Sequence, residues 1–317
     1  MTELRALYLL TTFLTLFAMA CEDDDGDLTT PPTTPAAGVD FINFPNGAIF
    51  PEGIDRSLEG NFYAGSSEDG RLYVAPAGSM SFSVYQPTGD TLPTALGVHI
   101  FGQRMLVAGG ESRRVLVVNL PNNISQSLSA PTVDADSSLL NDMSIGGDGE
   151  AYITDSYAPF IYRIPARGDT MEIAFDLRGS AIEYVEGFNL NGIVTSLDDR
   201  YLITVKTNTG VLYRIDRGNG EVSPITLTGG PLLGGDGMAL DGNTLYVALN
   251  QSNEVAVIEL AADYASGTVS RRIQQNFRFP TALVALRSEM YVLNAQLNAR
   301  QGEVAIALPF SAVRVGL

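Results

Sequence analysis

Six copies of one strand-pair pattern recur along this chain, and they constrain its fold more than any other feature. In each copy, two short runs of alternating apolar residues are separated by a turn rich in Gly, Asn or Asp. This period-two alternation predicts a β-hairpin. The six pairs are residues 62–65 with 71–74, 105–108 with 114–117, 151–154 with 160–163, 201–204 with 211–214, 245–248 with 254–257, and 290–293 with 303–306.

A second aligned element, four residues long, precedes each pair. Its spacing ranges from 42 residues (52 to 94) to 50 residues (141 to 191). A repeat of about 40–50 residues that contains four strands is typical of a propeller blade. The sequence therefore predicts an all-β fold, a six-bladed β-propeller with four-stranded blades. The second residues of the six elements are Glu52, Thr94, Asn141, Asn191, Asp236 and Thr281.

The two ends of the chain have to close the ring. After the last predicted hairpin, too few residues remain for an ordinary outer strand and its turn. Residues 39–44 alternate like a strand and precede the first blade, so we predict that they complete the sixth blade. The alternative is that residues 311–317 occupy that position.

The first 38 residues have the composition of export and tether segments. An apolar stretch that follows a basic residue, and is too short to span a membrane comfortably, indicates a signal peptide over residues 1–20. Cys21 comes directly after it, as in a lipid-anchored bacterial lipoprotein; the alternative is ordinary cleavage and secretion. Residues 21–38 are acidic and then rich in Thr and Pro, which predicts a flexible linker before a propeller at residues 39–317.

Charge and cysteine content exclude several classes of partner. The formal net charge is −17, and Lys206 is the single lysine. Such a surface repels phosphate backbones, which excludes nucleic acid as a partner. The lone cysteine excludes an internal disulfide framework and a thiolate metal cage.

The aligned positions predict a metal site. The inner strands of a propeller line one channel in the same direction, so equivalent residues near their starts meet at one face of the ring. Oxygen ligands of this kind select Ca²⁺ or Mg²⁺ over zinc or copper, and two carboxylates would neutralise a divalent ion. The alternative is that Asn and Asp beside Gly are ordinary turn residues that satisfy local backbone groups. The predicted ligands are Glu52, Asn141, Asn191 and Asp236, with Thr94 and Thr281 at the rim and Asp142 pointing elsewhere.

The segments that carry these residues resemble the SMP-30/gluconolactonase/LRE-like family, and most closely its secreted bacterial members. The resemblance extends from about residue 40 onward and is carried by residues 51–53, 140–142, 191–193 and 236–238. It implies a single Ca²⁺-type ion in the channel, held by Glu52, Asn141, Asn191 and Asp236. It also implies that Asp236 is the base or nucleophile that opens a lactone.

Two departures from the family pattern narrow the expected function. Where sugar lactonases have an Arg that grips substrate hydroxyls, this chain has Leu139, which points to a more apolar substrate. His99 is the only histidine, so a paired-histidine mechanism is excluded, and we expect it to be a core or channel residue in the inner strand of the second blade.

The expected function is a Ca²⁺-dependent hydrolase of lactones or related esters, with Mg²⁺ or another divalent cation as an alternative ion. A metal ion would polarise the carbonyl, and Asp236 would be the base. The alternative is a non-catalytic surface propeller that binds a ligand or a protein and has a structural metal. We expect a monomer with a small-molecule substrate, exported and either secreted or attached to the membrane only through a lipid on Cys21.

Overall fold

The computed structural model describes residues 41–133 and 137–317. The predicted signal peptide, linker and lipidation site all lie outside these ranges. Six small sheets form a six-bladed β-propeller, which confirms the predicted fold. None of the helices in the described part of the chain is long and apolar enough to cross a bilayer.

Each of the first five blades is formed by consecutive strands that run from the channel outward, whereas the sixth also uses the first strand of the chain. Blade 1 contains β2 (Pro51–Arg56), β3 (Phe62–Ser66), β4 (Leu72–Ala75) and β5 (Ser83–Tyr85). Blade 2 contains β7 (Val98–Phe101), β8 (Arg104–Ala108), β9 (Arg114–Asn119) and β10 (Ile124–Ser129), with the short β6 (Thr88–Gly89) parallel to β10. Blade 3 contains β11 (Leu140–Ile145), β12 (Ala151–Asp155), β13 (Phe160–Ile164) and β14 (Glu172–Asp176).

The second half of the ring repeats this plan. Blade 4 contains β15 (Leu190–Thr195), β16 (Tyr201–Lys206), β17 (Val211–Asp216) and β18 (Val222–Pro224). Blade 5 contains β20 (Gly235–Asp241), β21 (Thr244–Leu249), β22 (Glu254–Leu260) and β23 (Ser266–Ile273), with β19 (Thr226–Thr228) parallel to β23. Blade 6 contains β24 (Pro280–Leu286), β25 (Glu289–Asn294), β26 (Ser311–Gly316) and β1 (Phe41–Asn43).

The ring closes through β1, which pairs antiparallel with β26 as the outermost strand of blade 6. This confirms the prediction that the N-terminal strand completes the last blade. The inner strands contact their neighbours all the way round, in the order β2, β7, β11, β15, β20, β24 and back to β2.

The second strand of the sixth hairpin was wrongly placed at residues 303–306. A helical turn, α1 (Leu297–Arg300), and a loop follow β25, and the strand that pairs with β25 is β26. Val304 and Ile306 are exposed, whereas Ala312 of β26 is fully buried. Both segments alternate in polarity, and the one that buries its apolar side chains in the core forms the strand.

In blade 2 the inner strand begins later than the repeat predicts. The aligned element contains Thr94, but β7 begins only at Val98. The intervening segment is hydrogen-bonded to blade 1 as well as to its own blade. The Ala95 N–H donates to the Ser66 carbonyl (2.9 Å) and the Thr94 hydroxyl donates to the Ser67 carbonyl (3.0 Å), whereas the Leu96 N–H donates to the Ala108 carbonyl of β8 (2.8 Å).

The hydrophobic core consists of six clusters, each between two neighbouring blades. The tyrosines that recur at hairpin positions are buried in these clusters. They are Tyr152, Tyr162, Tyr213, Tyr246 and Tyr291. Because the blades are held together by packing between sheets, the inner ends of the strands are free to present polar groups.

Candidate metal centre

β-Bulges at the starts of the inner strands position the predicted ligands. In β2, Pro51 pairs with Ser66 and Ile54 pairs with Ala64, so two residues, of which Glu52 is the first, oppose a single residue of β3. The same register shift occurs in β11, β15, β20 and β24. A bulge redirects a side chain that would otherwise alternate with its neighbours. The first bulged residues of β2, β11, β15 and β20 are Glu52, Asn141, Asn191 and Asp236.

The four side chains line one cavity of about 860 Å³. None is more than 7% exposed, so they lie at its floor and not at its mouth. The structure therefore brings the four predicted ligands to one cavity. In the described ranges no three Asp, Glu, His or Cys side chains gather as a metal cluster. A cation here would thus depend on amide oxygens as much as on carboxylates.

Glycines allow the inner strands to approach closely around this floor. A Cβ at Gly192 would stand 2.1 Å from the Asp236 carbonyl oxygen, and one at Gly53 would stand 2.3 Å from the Leu96 carbonyl oxygen. Real Cβ atoms do not come so near, so these positions require glycine. Gly53 and Gly192, which follow Glu52 and Asn191, therefore allow the neighbouring inner strand to approach.

Buried amide oxygens without hydrogen-bond partners lie at the cavity floor. Asn141 donates its Nδ2 hydrogen to Ser156 Oγ (2.9 Å), which leaves its Oδ1 atom unpartnered. The Oδ1 atoms of Asn191 and Asn250 also have no hydrogen-bond partner among the described residues. Buried polar atoms are nearly always partnered, and an unpartnered one is a reason to look for a missing ion or water. These residues fit a hard cation, which prefers neutral and anionic oxygens.

The two carboxyl groups are held in an environment that disfavours their charge. Burial raises the pKa of Glu52 well above its ordinary value, and the nearby charges of Asp236 and Asp142 raise it further. Burial and the charge of Asp142 raise the pKa of Asp236 to about 8, although hydrogen bonds from Asn250 and Asn191 oppose that shift. A divalent cation at this position would relieve the repulsion between these groups.

The remaining predicted positions divide between the cavity and the channel below it. Thr94 lines the cavity, but Thr281 is buried and donates its hydroxyl hydrogen to the Glu52 carbonyl (2.7 Å). His99 lies in β7, as predicted, between Asp142 (Nε2 to Oδ1, 3.3 Å) and Asp55 (Nδ1 to Oδ2, 3.8 Å). Asp142 therefore faces the channel histidine and not the cavity.

Asn250 is a cavity residue with a buried, unpartnered oxygen that the sequence pattern did not indicate. It follows β21, and the corresponding residue after the second strand differs from blade to blade, so no repeat marks it. In the other blades that residue is Ser67, Gly109, Ser156, Thr207 or Ala295.

Comparisons with known proteins agree with the architecture. The model of the family described as SMP-30/Gluconolactonase/LRE-like region matches residues 91–296. No curated protein matches the chain.

Three solved structures illustrate the likeness of fold. The major allergen Mala s 1 of Malassezia sympodialis is 16% identical, with a TM-score of 0.65 over 87% of this chain and 95% of that chain. A calcium-binding regucalcin from Agrobacterium tumefaciens is 16% identical, with a TM-score of 0.60 over 86% and 95%. A virginiamycin B lyase from Staphylococcus aureus is 13% identical, with a TM-score of 0.59 over 80% of each chain. At these identities the likeness establishes the fold alone.

Proposed function

This chain belongs to the SMP-30/gluconolactonase/LRE-like family, and on that premise we propose that it is a Ca²⁺-dependent hydrolase of lactones or related esters. The observation that carries the proposal is the donor set at the cavity floor. Two buried carboxyl groups with raised pKa values lie there beside amide oxygens that have no hydrogen-bond partner. The calcium-binding regucalcin with the same fold supports the choice of cation.

In this proposal Glu52, Asn141, Asn191 and Asp236 hold the ion. When bound, Ca²⁺ would supply Lewis-acid polarisation of the substrate carbonyl. The protein supplies a buried and preorganised set of dipoles around the reacting group. Asn141 is preorganised because its amide nitrogen is already engaged with Ser156 (2.9 Å), so its oxygen faces the floor without rearrangement.

Asp236 is the proposed general base. It would take a proton from the water that attacks the carbonyl carbon, while a new C–O bond forms to that water. The ester C–O bond then breaks, and the proton passes from Asp236 to the departing alkoxide, so that one water is consumed and an acid and an alcohol are formed. The hydrogen bond from Asn250 Nδ2 to Asp236 Oδ2 (3.2 Å) orients the carboxylate for this role.

The walls of the cavity favour neutral and apolar substrates. Leu139, Phe188 and Phe279 contribute apolar surface above the floor. Among the described residues of the lining Arg300 is the only basic one, and Glu68 already pairs with it (Nε to Oε2, 3.2 Å). A substrate carboxylate or phosphate would therefore find no unpaired basic side chain in the part of the lining that the structure describes, whereas a neutral ester or lactone would find apolar surface.

The test is hydrolysis of matched aryl esters and lactones, measured with EDTA and after Ca²⁺ is restored. We expect activity that EDTA abolishes and Ca²⁺ recovers, and that Asp236→Asn abolishes. Asp241→Asn, an exposed aspartate of the same strand, is the matched control and should keep full activity. Activity that survives both chelation and Asp236→Asn would refute the proposed mechanism.

A non-catalytic propeller with a structural ion is the second candidate. It is favoured because the described residues of the lining offer no unpaired basic side chain to grip a substrate: Leu139 stands where an Arg is expected, and Arg300 pairs with Glu68. In that case Ca²⁺ would raise the thermal stability of the protein while no member of the ester and lactone panel was turned over.

A further inference from the structure

We infer that Asn250 is a fifth protein ligand of the cation, through its Oδ1 atom, and that it biases the site toward Ca²⁺ over Mg²⁺. The inference rests on the proposed function, because it concerns the same ion. It starts from burial: Asn250 is 8% exposed, lines the cavity, and its Oδ1 atom has no hydrogen-bond partner in the described part of the chain.

Asn250 departs from the residues at the same place in blades 3 and 4. Ser156 and Thr207 also follow the second strand, and each donates its hydroxyl hydrogen to the first residue of the next inner strand, the carbonyls of Leu190 (2.6 Å) and Gly235 (2.8 Å). These hydroxyls join neighbouring blades. Asn250 instead donates its amide hydrogen to Asp236 Oδ2 in its own blade (3.2 Å). Its side chain therefore contacts a predicted ligand and does not join neighbouring blades.

No backbone N–H of the described residues donates to the Oδ1 atom. Gly234 lies against it, and a Cβ at Gly234 would stand 2.7 Å from Oδ1. The N–H groups of Gly234 and Gly235 are already engaged with the carbonyls of Thr207 (3.0 Å) and Leu232 (2.8 Å). Leaving a buried amide oxygen without a partner is unfavourable, because the lost contact with water is not replaced. The same unpartnered state is found at Asn141 and Asn191, the two predicted amide ligands.

A fifth oxygen affects which cation the site prefers. Ca²⁺ takes six to eight oxygens in flexible geometry, whereas Mg²⁺ requires a near-octahedral shell and keeps several waters. With Asn250, five side chains from blades 1, 3, 4 and 5 would share one ion, a crowded and predominantly protein shell. That arrangement suits Ca²⁺ and penalises Mg²⁺.

The experiment compares Asn250→Leu, which keeps the size of the side chain and removes its oxygen, with the unaltered protein. Ca²⁺ and Mg²⁺ affinities are measured by calorimetry, and Eu³⁺ luminescence lifetimes in H₂O and D₂O count the waters on the bound ion. We expect Ca²⁺ affinity to fall about tenfold or more, Mg²⁺ affinity to change less, and one additional water on Eu³⁺. Asn294→Ala is the control, because Asn294 is a buried asparagine whose oxygen and nitrogen are both hydrogen-bonded, to the Arg278 N–H and the Asn276 carbonyl.

Three results would overturn the inference in distinguishable ways. An unchanged water count with weaker Ca²⁺ binding would mean that Asn250 only positions Asp236. An unchanged Ca²⁺ affinity together with an unchanged water count would mean that Asn250 takes no part in binding the ion. Failure of the unaltered protein to bind Ca²⁺ or Eu³⁺ would refute the metal centre itself, and the proposed function with it.

Discussion

Cation binding at this site should release protons, and its pH dependence tests the electrostatics of the cavity floor. The perturbation is a change of pH from 8 to 6 in the presence of Ca²⁺. Asp236 is buried and has a pKa of about 8, and the pKa of Glu52 is also raised. A carboxyl group has to lose its proton before it binds a metal ion, so protons and Ca²⁺ compete for the same oxygens.

The magnitude follows from the pKa of Asp236. One pKa unit corresponds to 1.36 kcal/mol, so at pH 6 the proton that has to be displaced costs about 2.7 kcal/mol. Ca²⁺ affinity should therefore be roughly 50-fold lower at pH 6 than at pH 8 from Asp236 alone. The raised pKa of Glu52 makes the dependence steeper.

The stability of the cation-free protein should depend on pH in the opposite sense. Because folding raises the pKa of Asp236 from 3.8 to about 8, the folded state holds more protons than the unfolded state between these values. The free energy of unfolding therefore falls as pH rises from about 4 to about 8, by at most about 5 kcal/mol from this residue. Ca²⁺ should counteract that loss, and most strongly at the upper end of the range.

Calorimetry in two buffers of different ionisation enthalpy measures both the affinity and the number of protons released. Thermal unfolding with EDTA and with Ca²⁺ measures the stability. Asp236→Asn should bind Ca²⁺ more weakly and with a shallower pH dependence, since it keeps the shape of the side chain without the titrating group. A Ca²⁺ affinity that is constant between pH 6 and pH 8, with no proton release, would refute the assignment of these carboxyl groups as ligands.

Three further predictions concern packing and export. Gly192→Ala places a methyl group against the Asp236 carbonyl and should lower the Ca²⁺ affinity measured by calorimetry about tenfold. Gly316→Ala, where the added methyl group meets open space, should leave that affinity unchanged. Phe44→Ala removes a buried ring that stacks on another phenylalanine (4.1 Å between ring centroids) where blade 6 meets blade 1. It should lower the free energy of unfolding by about 3–5 kcal/mol, measured by denaturant titration, and a loss below about 1 kcal/mol would contradict this account of ring closure. Cys21→Ser should move the protein from the membrane fraction to the soluble fraction on immunoblots if the cysteine is lipidated, and an unchanged distribution would favour simple secretion.

Much of the candidate site was predictable because it repeats. Six oxygen-bearing residues recur at one position of the blade pattern, four of them the predicted ligands, and a ring of equivalent strands has to bring such positions to one face. The bulges that aim these side chains into the channel were not predicted, although glycine after Glu52, Asn191 and Asp236 accompanies them. Asn250 was not predicted because its proposed role depends on a hydrogen bond to Asp236, fourteen residues earlier in the chain. No repeated sequence pattern indicates that contact.

The number of blades, the all-β class, the closing N-terminal strand and the set of aligned oxygen-bearing residues are properties of the sequence. They depend on local alternation of apolar residues and on the spacing of turns, and both are visible in the amino-acid sequence. Only the tertiary structure decided which C-terminal segment pairs with β25. Residues 303–306 and β26 both carry apolar residues at strand spacing, but only β26 buries them in the core. The same holds for the electrostatics of the cavity: the pKa of Asp236 and the unpartnered amide oxygens arise from burial and from neighbours contributed by other strands.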